Sequence, residues 1–214
     1  IGGIIVDGGN FDWTKDRKRQ PLMNEPDQSY NGAVWADAVP KLTGANIPFA
    51  IRARVVLLRD LGAPLSPFNA FQIIQGLETV ALRMKQHCVN AEKVVSFLET
   101  QKKVQNVIYP TNHQGEIKER AKRYMKGGYG SLVGMDVGTR ENGAKFIDNL
   151  KMLYHVANIG DARSLAIHPA TTTHSQLNEK ELLAAGVTPG YVRLSIGIEH
   201  PDDIIADIKQ ALAA

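Results

Sequence analysis

Hydroxyls and imidazoles crowd into one run of the chain, SLAIHPATTTHSQL, residues 164–177. Ser164, Thr171, Thr172, Thr173 and Ser175 supply the hydroxyls, and His168 and His174 supply the rings. So many short polar groups suit a surface that faces a small polar ligand. The competing account is local capping, because Ser and Thr often bond nearby backbone. Residue by residue the two accounts weigh equally, and for the group as a whole the ligand-facing one is preferred. Beyond this run Arg193 stands in the alternation Tyr191, Val192, Arg193, Leu194, Ser195, Ile196. That alternation predicts a strand. A guanidinium on a strand is a fixed fork that can grip a carboxylate through two parallel hydrogen bonds. From the residues alone, a strand arginine paired to a structural carboxylate is the commoner use.

The elements that must position these groups follow from pattern. Gly2–Val6 reads as a buried strand ending in the Asp7-Gly8-Gly9 turn, and such a strand needs neighbours. Residues 10–45 are irregular and carry Phe11, Trp13, Tyr30 and Trp35. Residues 47–61 predict a helix that tolerates Pro48 in its first turn and stops at Gly62. Arg59-Asp60 reads as a structural ion pair, and Arg52, Arg54 and Arg59 receive no catalytic role. Ser66-Pro67 predicts the cap of a long helix reaching towards Gln101, with Phe71, Ile74, Leu77, Ala81, Met84 and Cys88 as its apolar stripe.

Past residue 103 strands and helices alternate. Strands are predicted at 104–109, 131–137, 154–157, 165–167 and 191–198. Helices are predicted at 116–124, 143–152, 179–185 (with Asn178 as cap) and 202–212. GGYG at 127–130 lacks the spacing of a phosphate loop and reads as a turn. The pattern is that of a small α/β domain, and the boundary before it is expected within residues 90–103.

Composition narrows the field. The chain has 214 residues, 43% hydrophobic and 22% charged, which is ordinary for a globular protein able to bury a sizeable core. The net charge of +3 is weak and its basic residues are scattered apart from Lys15–Arg19, so a nucleic-acid partner is not expected. Cys88 is the one cysteine, which excludes an internal disulfide and suits a reducing cytoplasm. It reads as a buried helical thiol. No run is long and apolar enough for a membrane helix, and no secretory signal is visible. The histidines do not form a spaced metal motif, so no metal is assigned.

Several long motifs carry a resemblance. They are IGGIIVDGGNFDW at the start, LLRDLGAPLSPFNAFQIIQGLETVALRMKQHCVNA over 57–91, SLAIHPATTTHSQL, and GYVRLSIGIEHPDDIIADIKQAL near the end. In these the chain resembles the Cys/Met-metabolism family of pyridoxal 5'-phosphate (PLP) enzymes over essentially its whole length. The resemblance implies the C-terminal part of a fold-type I PLP-dependent transferase. A remnant of the large PLP-binding domain (1–100) would be followed by a small α/β sandwich domain with a mainly antiparallel sheet (101–214). In this family the cofactor acts as the electron sink, held by a lysine, a carboxylate at its ring nitrogen and phosphate anchors. The lysine stands in a Ser-x-Thr-Lys segment followed by Gly-Gly-His-Gly, which the resemblance places upstream of Ile1. The chain is therefore expected to be a C-terminal half that is inactive alone. It would contain no catalytic residue, and no cofactor-binding residue is assigned.

The resemblance also assigns substrate-binding residues. Arg193, in RLSIGIE, matches the arginine that binds the substrate α-carboxylate. Asn158, in VANIG, matches a serine that helps hold the same carboxylate through main chain or side chain; it equally suits a turn before Gly160. Thr172 and His174, with their neighbours, match the pocket wall, and Phe68 and Asn69 match the entrance. The implied activity of the intact enzyme is γ-replacement. O-acetyl-L-homoserine and sulfide (or methanethiol) would give homocysteine (or methionine) and acetate, as in methionine biosynthesis and transsulfuration. A homo-oligomer, dimer or tetramer, is implied with it. Two alternatives stay open. One is a cystathionine γ-synthase or γ-lyase type of enzyme. The other is a non-catalytic module binding a partner or a small carboxylate.

Overall fold

The structure, a computed structural model, describes residues 2–214. It forms two compact units, Ile1–Leu77 and Glu78–Ala214.

The first unit is built from short helices. They are α1 (Pro21–Asn24), α2 (Trp35–Thr43), α3 (Pro48–Arg52) and α4 (Pro67–Glu78), and α3 runs on as a π-helical stretch over Ala53–Asp60. Its small core gathers Met23, Trp35, Ala36 and Val39, with Trp13, Ile47 and Ile51 packed against them. Trp35 is fixed there by its indole N–H, which donates to Asp27 Oδ2 at 3.0 Å. The tryptophans thus serve packing. The Arg59–Asp60 ion pair is present at 3.2 Å, and Tyr30 donates its hydroxyl to the same aspartate.

Three expectations are corrected here. Gly2–Val6 is not a buried strand. It pairs with nothing among the described residues, and Ile4 and Val6 are 88% and 83% exposed. A lone extended segment without a ladder partner gains nothing from strand geometry. Residues 10–45 are less irregular than their Gly and Pro content suggests, because α2 forms there with Pro40 inside it. The helix expected from Pro67 to Gln101 is two helices. Thr79 sits at φ −112°, ψ 3° between α4 and α5 (Val80–Leu98). Most of the predicted stripe is exposed, Phe71, Ile74 and Leu77 included, and burial begins only at His87 and Cys88.

The second unit holds a five-stranded sheet. Its strands are β1 (Asn106–Ile108), β2 (Leu132–Asp136), β3 (Tyr154–His155), β4 (Leu165–Ile167) and β5 (Tyr191–Ser195), in the spatial order β1-β2-β5-β4-β3. All neighbours are antiparallel except β3 and β4. The helices are α5, α6 (Gly115–Tyr124), α7 (Arg140–Asn149), α8 (Glu179–Ala184) and α9 (Pro201–Ala213). Val192, Leu194 and Ile196 bury one face of β5 against Val133 and Met135 of β2, Ala91, Val94 and Leu98 of α5, and Ile204 and Ile208 of α9. This packing explains why the units divide after Leu77 rather than within residues 90–103. The buried side of α5 belongs to the core of the sheet. The mainly antiparallel α/β arrangement expected from sequence is present.

Local chemistry sets the ends of these elements. Asn178 closes a capping box with Glu181 at the start of α8. GGYG is a turn: Gly127, Gly128 and Gly130 all have positive φ, and a Cβ on Gly128 would fall 2.6 Å from Cys88 Sγ. Asp207 of α9 accepts from the backbone N–H groups of Lys151, Met152 and Leu153 at 2.9–3.0 Å and so holds the approach to β3. Burial acts to raise its carboxyl, yet these donors and Gln210 keep it below the usual carboxylate value.

Candidate functional site

The strand period puts Tyr191, Arg193 and Ser195 on the face of β5 opposite the core. Arg193 lies directly across from Gly134 on β2 and Ile167 on β4. Gly134 keeps this face open for the neighbouring ring, since a Cβ there would meet Tyr191 Cε2 at 2.7 Å.

The loop after β3 is tied to this face at two points. Arg193 Nη2 donates to Ala157 O at 2.6 Å, with Asn158 O at the hydrogen-bond limit of 3.5 Å. Gly160 N donates to Ser195 Oγ at 3.1 Å. Among the described residues Arg193 enters no ion pair, and its Nε and Nη1 donate to no partner. The guanidinium is therefore oriented by one edge while its other donors are uncommitted. Asn158 is exposed, and what it turns towards Arg193 is its main-chain carbonyl.

The run 164–177 behaves differently. Ser164 and His168 are completely buried. His168 Nε2 meets Pro189 O at 2.8 Å, and a carbonyl can only accept, so this nitrogen carries the proton. Nδ1 then accepts from the Thr171 hydroxyl at 2.9 Å. Burial keeps the ring below the ordinary imidazole value, so it is neutral. Thr172 donates its hydroxyl to His168 O at 2.9 Å, and His174 Nδ1 pairs with the Thr173 hydroxyl at 2.9 Å. Ser164, His168, Thr171 and Thr172 are thus occupied within the fold, as the capping account holds. Thr173 and Ser175 are exposed, and His174 is half-buried.

Sequence reasoning overlooked the groups that fix the segment after β5. Glu199 accepts from Ser164 N at 2.7 Å and from the Ser164 hydroxyl at 2.9 Å, and Gly197 N donates to Ser164 Oγ at 2.8 Å. Ile198 N donates to Ala162 O at 2.8 Å. From the other side, Asn90 of α5 donates to Gly197 O and Glu199 O at 2.9 and 2.8 Å, and His87 Nδ1 donates to Ile196 O at 2.6 Å. His87 and Asn90 are buried polar residues one helical turn apart. Their polarity beside the apolar stripe of α5 was the signal available in the sequence. Gly197 fits because a Cβ would lie 2.4 Å from Ala162 O and 2.3 Å from Glu199 Oε2.

Among the described residues no cluster of His, Cys, Asp and Glu suits a metal ion, and no helix is long and apolar enough to cross a membrane.

Known proteins match this chain throughout. The family model for Cys/Met metabolism PLP-dependent enzymes matches residues 1–213. An O-acetyl-L-homoserine sulfhydrylase of Leptospira meyeri is 48% identical over 217 residues, covering 99% of this chain and 49% of its own length. A homocysteine synthase of Schizosaccharomyces pombe is 44% identical, over 99% of this chain and 48% of its own. A crystal structure described as an O-acetylhomoserine (thiol)-lyase of Campylobacter jejuni, containing a pyridoxyl-lysine phosphate, superposes with a TM-score of 0.79 at 42% identity. That match covers 94% of this chain and 46% of the other. The chain thus spans about half the length of the relatives it matches.

Proposed function

This chain belongs to the Cys/Met-metabolism family of PLP-dependent enzymes, and from that premise we propose that it is the substrate-clamping C-terminal portion of a γ-replacement enzyme. The reaction is conversion of O-acetyl-L-homoserine and sulfide, or methanethiol, to homocysteine or methionine with release of acetate. The names of the matched relatives support this substrate pair over the γ-synthase and γ-lyase alternatives.

The groups around Arg193 fit a carboxylate and not the cofactor. Between Tyr154 and Ile198 the one lysine is Lys180, exposed on α8. The remaining groups near the guanidinium are main-chain carbonyls and a serine hydroxyl that already accepts a bond. On this reading the lysine and phosphate anchors of PLP stand upstream of Ile1, as the family resemblance implies. The first unit, up to Leu77, would belong to that cofactor-binding portion. Arg193 would receive the α-carboxylate on guanidinium N–H groups that the loop does not use. The 157–160 loop, with Asn158 at its turn, would hold the fork square to it. Thr172 and His174 would line the wall beside it: Thr172 as an acceptor, its one proton being spent on His168 O, and His174 through its half-buried ring. Buried, unpaired Cys88 suits a reducing cytoplasm, and a homo-oligomer suits the family.

The observation that carries the reading is an arginine held through Nη2, with no carboxylate among the described residues paired to it. In the full-length enzyme, Arg193→Ala is expected to raise KM for O-acetyl-L-homoserine about a hundredfold, the loss of a charge-assisted contact. The absorbance of bound PLP should not change. Steady-state kinetics with an unaltered KM would remove the clamp assignment.

A further inference from the structure

Arg193 is held by a loop, and a loop carries a charge to a fixed place only if something fixes the loop. The bonds from residues 157–164 to the strand-and-tail segment 193–199 form a closed ladder. Ala157 O takes Arg193, Gly160 N reaches Ser195 Oγ, Ala162 O takes Ile198 N, and Ser164 meets both Gly197 N and the Glu199 carboxylate. The last rung is the strongest in kind. A carboxylate accepts two bonds from one serine, its main-chain N–H and its hydroxyl, and bonds to a charged group are about twice as strong as neutral ones. Glu199 has no cationic partner among the described residues, so its charge is directed at this one task. The tail it belongs to cannot drift, because Asn90 clamps the carbonyls on both sides of Ile198 and His87 holds the carbonyl before them.

We infer that Glu199 is a positioning residue for the carboxylate clamp: through Ser164 it sets the place of the 157–160 loop and hence the aim of Arg193. This rests on the clamp reading above. Glu199 touches no reacting atom; it acts through Arg193. The long helix α5, through Asn90 and His87, supplies the fixed frame against which the loop is registered.

The test is a double-mutant cycle in the full-length enzyme, read as KM and kcat for O-acetyl-L-homoserine with sulfide. Glu199→Gln keeps the shape but removes the charge and one acceptor. It is expected to raise KM about tenfold and to change kcat by about twofold or less. In an Arg193→Ala background the same substitution is expected to add nothing, since the group it aims is gone. If Glu199→Gln leaves KM unchanged, or multiplies it equally in both backgrounds, while Arg193→Ala raises KM, the positioning role falls and the clamp stands. If Arg193→Ala itself leaves KM unchanged, the clamp reading falls and takes this inference with it. Should Glu199→Gln fail to fold, Ser164→Ala, which removes the hydroxyl's bonds to Glu199 and Gly197 and keeps the main-chain bond to Glu199, carries the same expectations in both backgrounds.

Discussion

Two polar stretches reach the central strand β5, and they use their polar groups in opposite ways. Residues 164–172 are rich in hydroxyls and imidazole, yet the described bonds of Ser164, His168, Thr171 and Thr172 run to neighbours inside the fold. Residues 157–160 are plainer, but they hold Arg193 by one edge and leave its other donors turned away from any partner among the described residues. The difference teaches that a dense polar composition is not by itself a binding surface. Buried polar groups need partners, and a run of short side chains supplies them to itself. What is left over for a ligand is the group whose donors the fold does not use up.

Substitutions sharpen the contrast, because groups of the first kind should cost stability and those of the second kind should not. His168→Ala removes a fully buried ring and leaves Pro189 O without its donor, so about 3 kcal/mol of stability should be lost in urea unfolding. The same residue makes stability depend on pH. Its folded-state value lies below the ordinary 6.5, so the unfolded chain takes the proton first as pH falls. This contribution is full above about 6.5 and declines as pH falls from there towards the lower folded-state value, and His168→Ala should lack this part of the decline. Thr172→Val breaks only the bond to His168 O and should cost about 1 kcal/mol. Arg193→Ala should change stability by about 0.5 kcal/mol or less, in keeping with a half-buried side chain that enters no ion pair among the described residues. If Arg193→Ala destabilised the fold as much as Thr172→Val, the distinction between the two stretches would not hold.

Much of the second unit was legible. The alternation over Tyr191–Ser195, the apolar run Leu165–Ile167 and the Asn178 cap each rest on a local rule that tertiary packing reinforces. The first unit was less so. Helix α2 has Val34 at its cap position, with no side-chain cap bond, and contains Pro40, so both usual signals argue against it; burial of Trp35, Ala36 and Val39 outweighs them. The apolar stripe of α4 and early α5 is periodic, but periodicity does not report the interruption at Thr79. At the site, the type of Arg193 and its place on a strand were readable. The roles of Glu199, Asn90 and His87 were not, because the partners that give them those roles lie 35–109 residues away and are mostly backbone atoms.

The order of strands bears on how this unit comes to exist. Of the five strands, β5 is the last to be synthesised, yet it alone joins the β1–β2 pair to the β3–β4 pair. A nascent chain that has emerged only as far as α8 holds two strand pairs with no hydrogen-bonded link between them. Sheet assembly must wait for residues 191–195 to leave the ribosome, and non-local pairing of this kind is slow. The same five residues deliver Arg193, so the clamp and the closure of the sheet arrive in a single late step of biosynthesis.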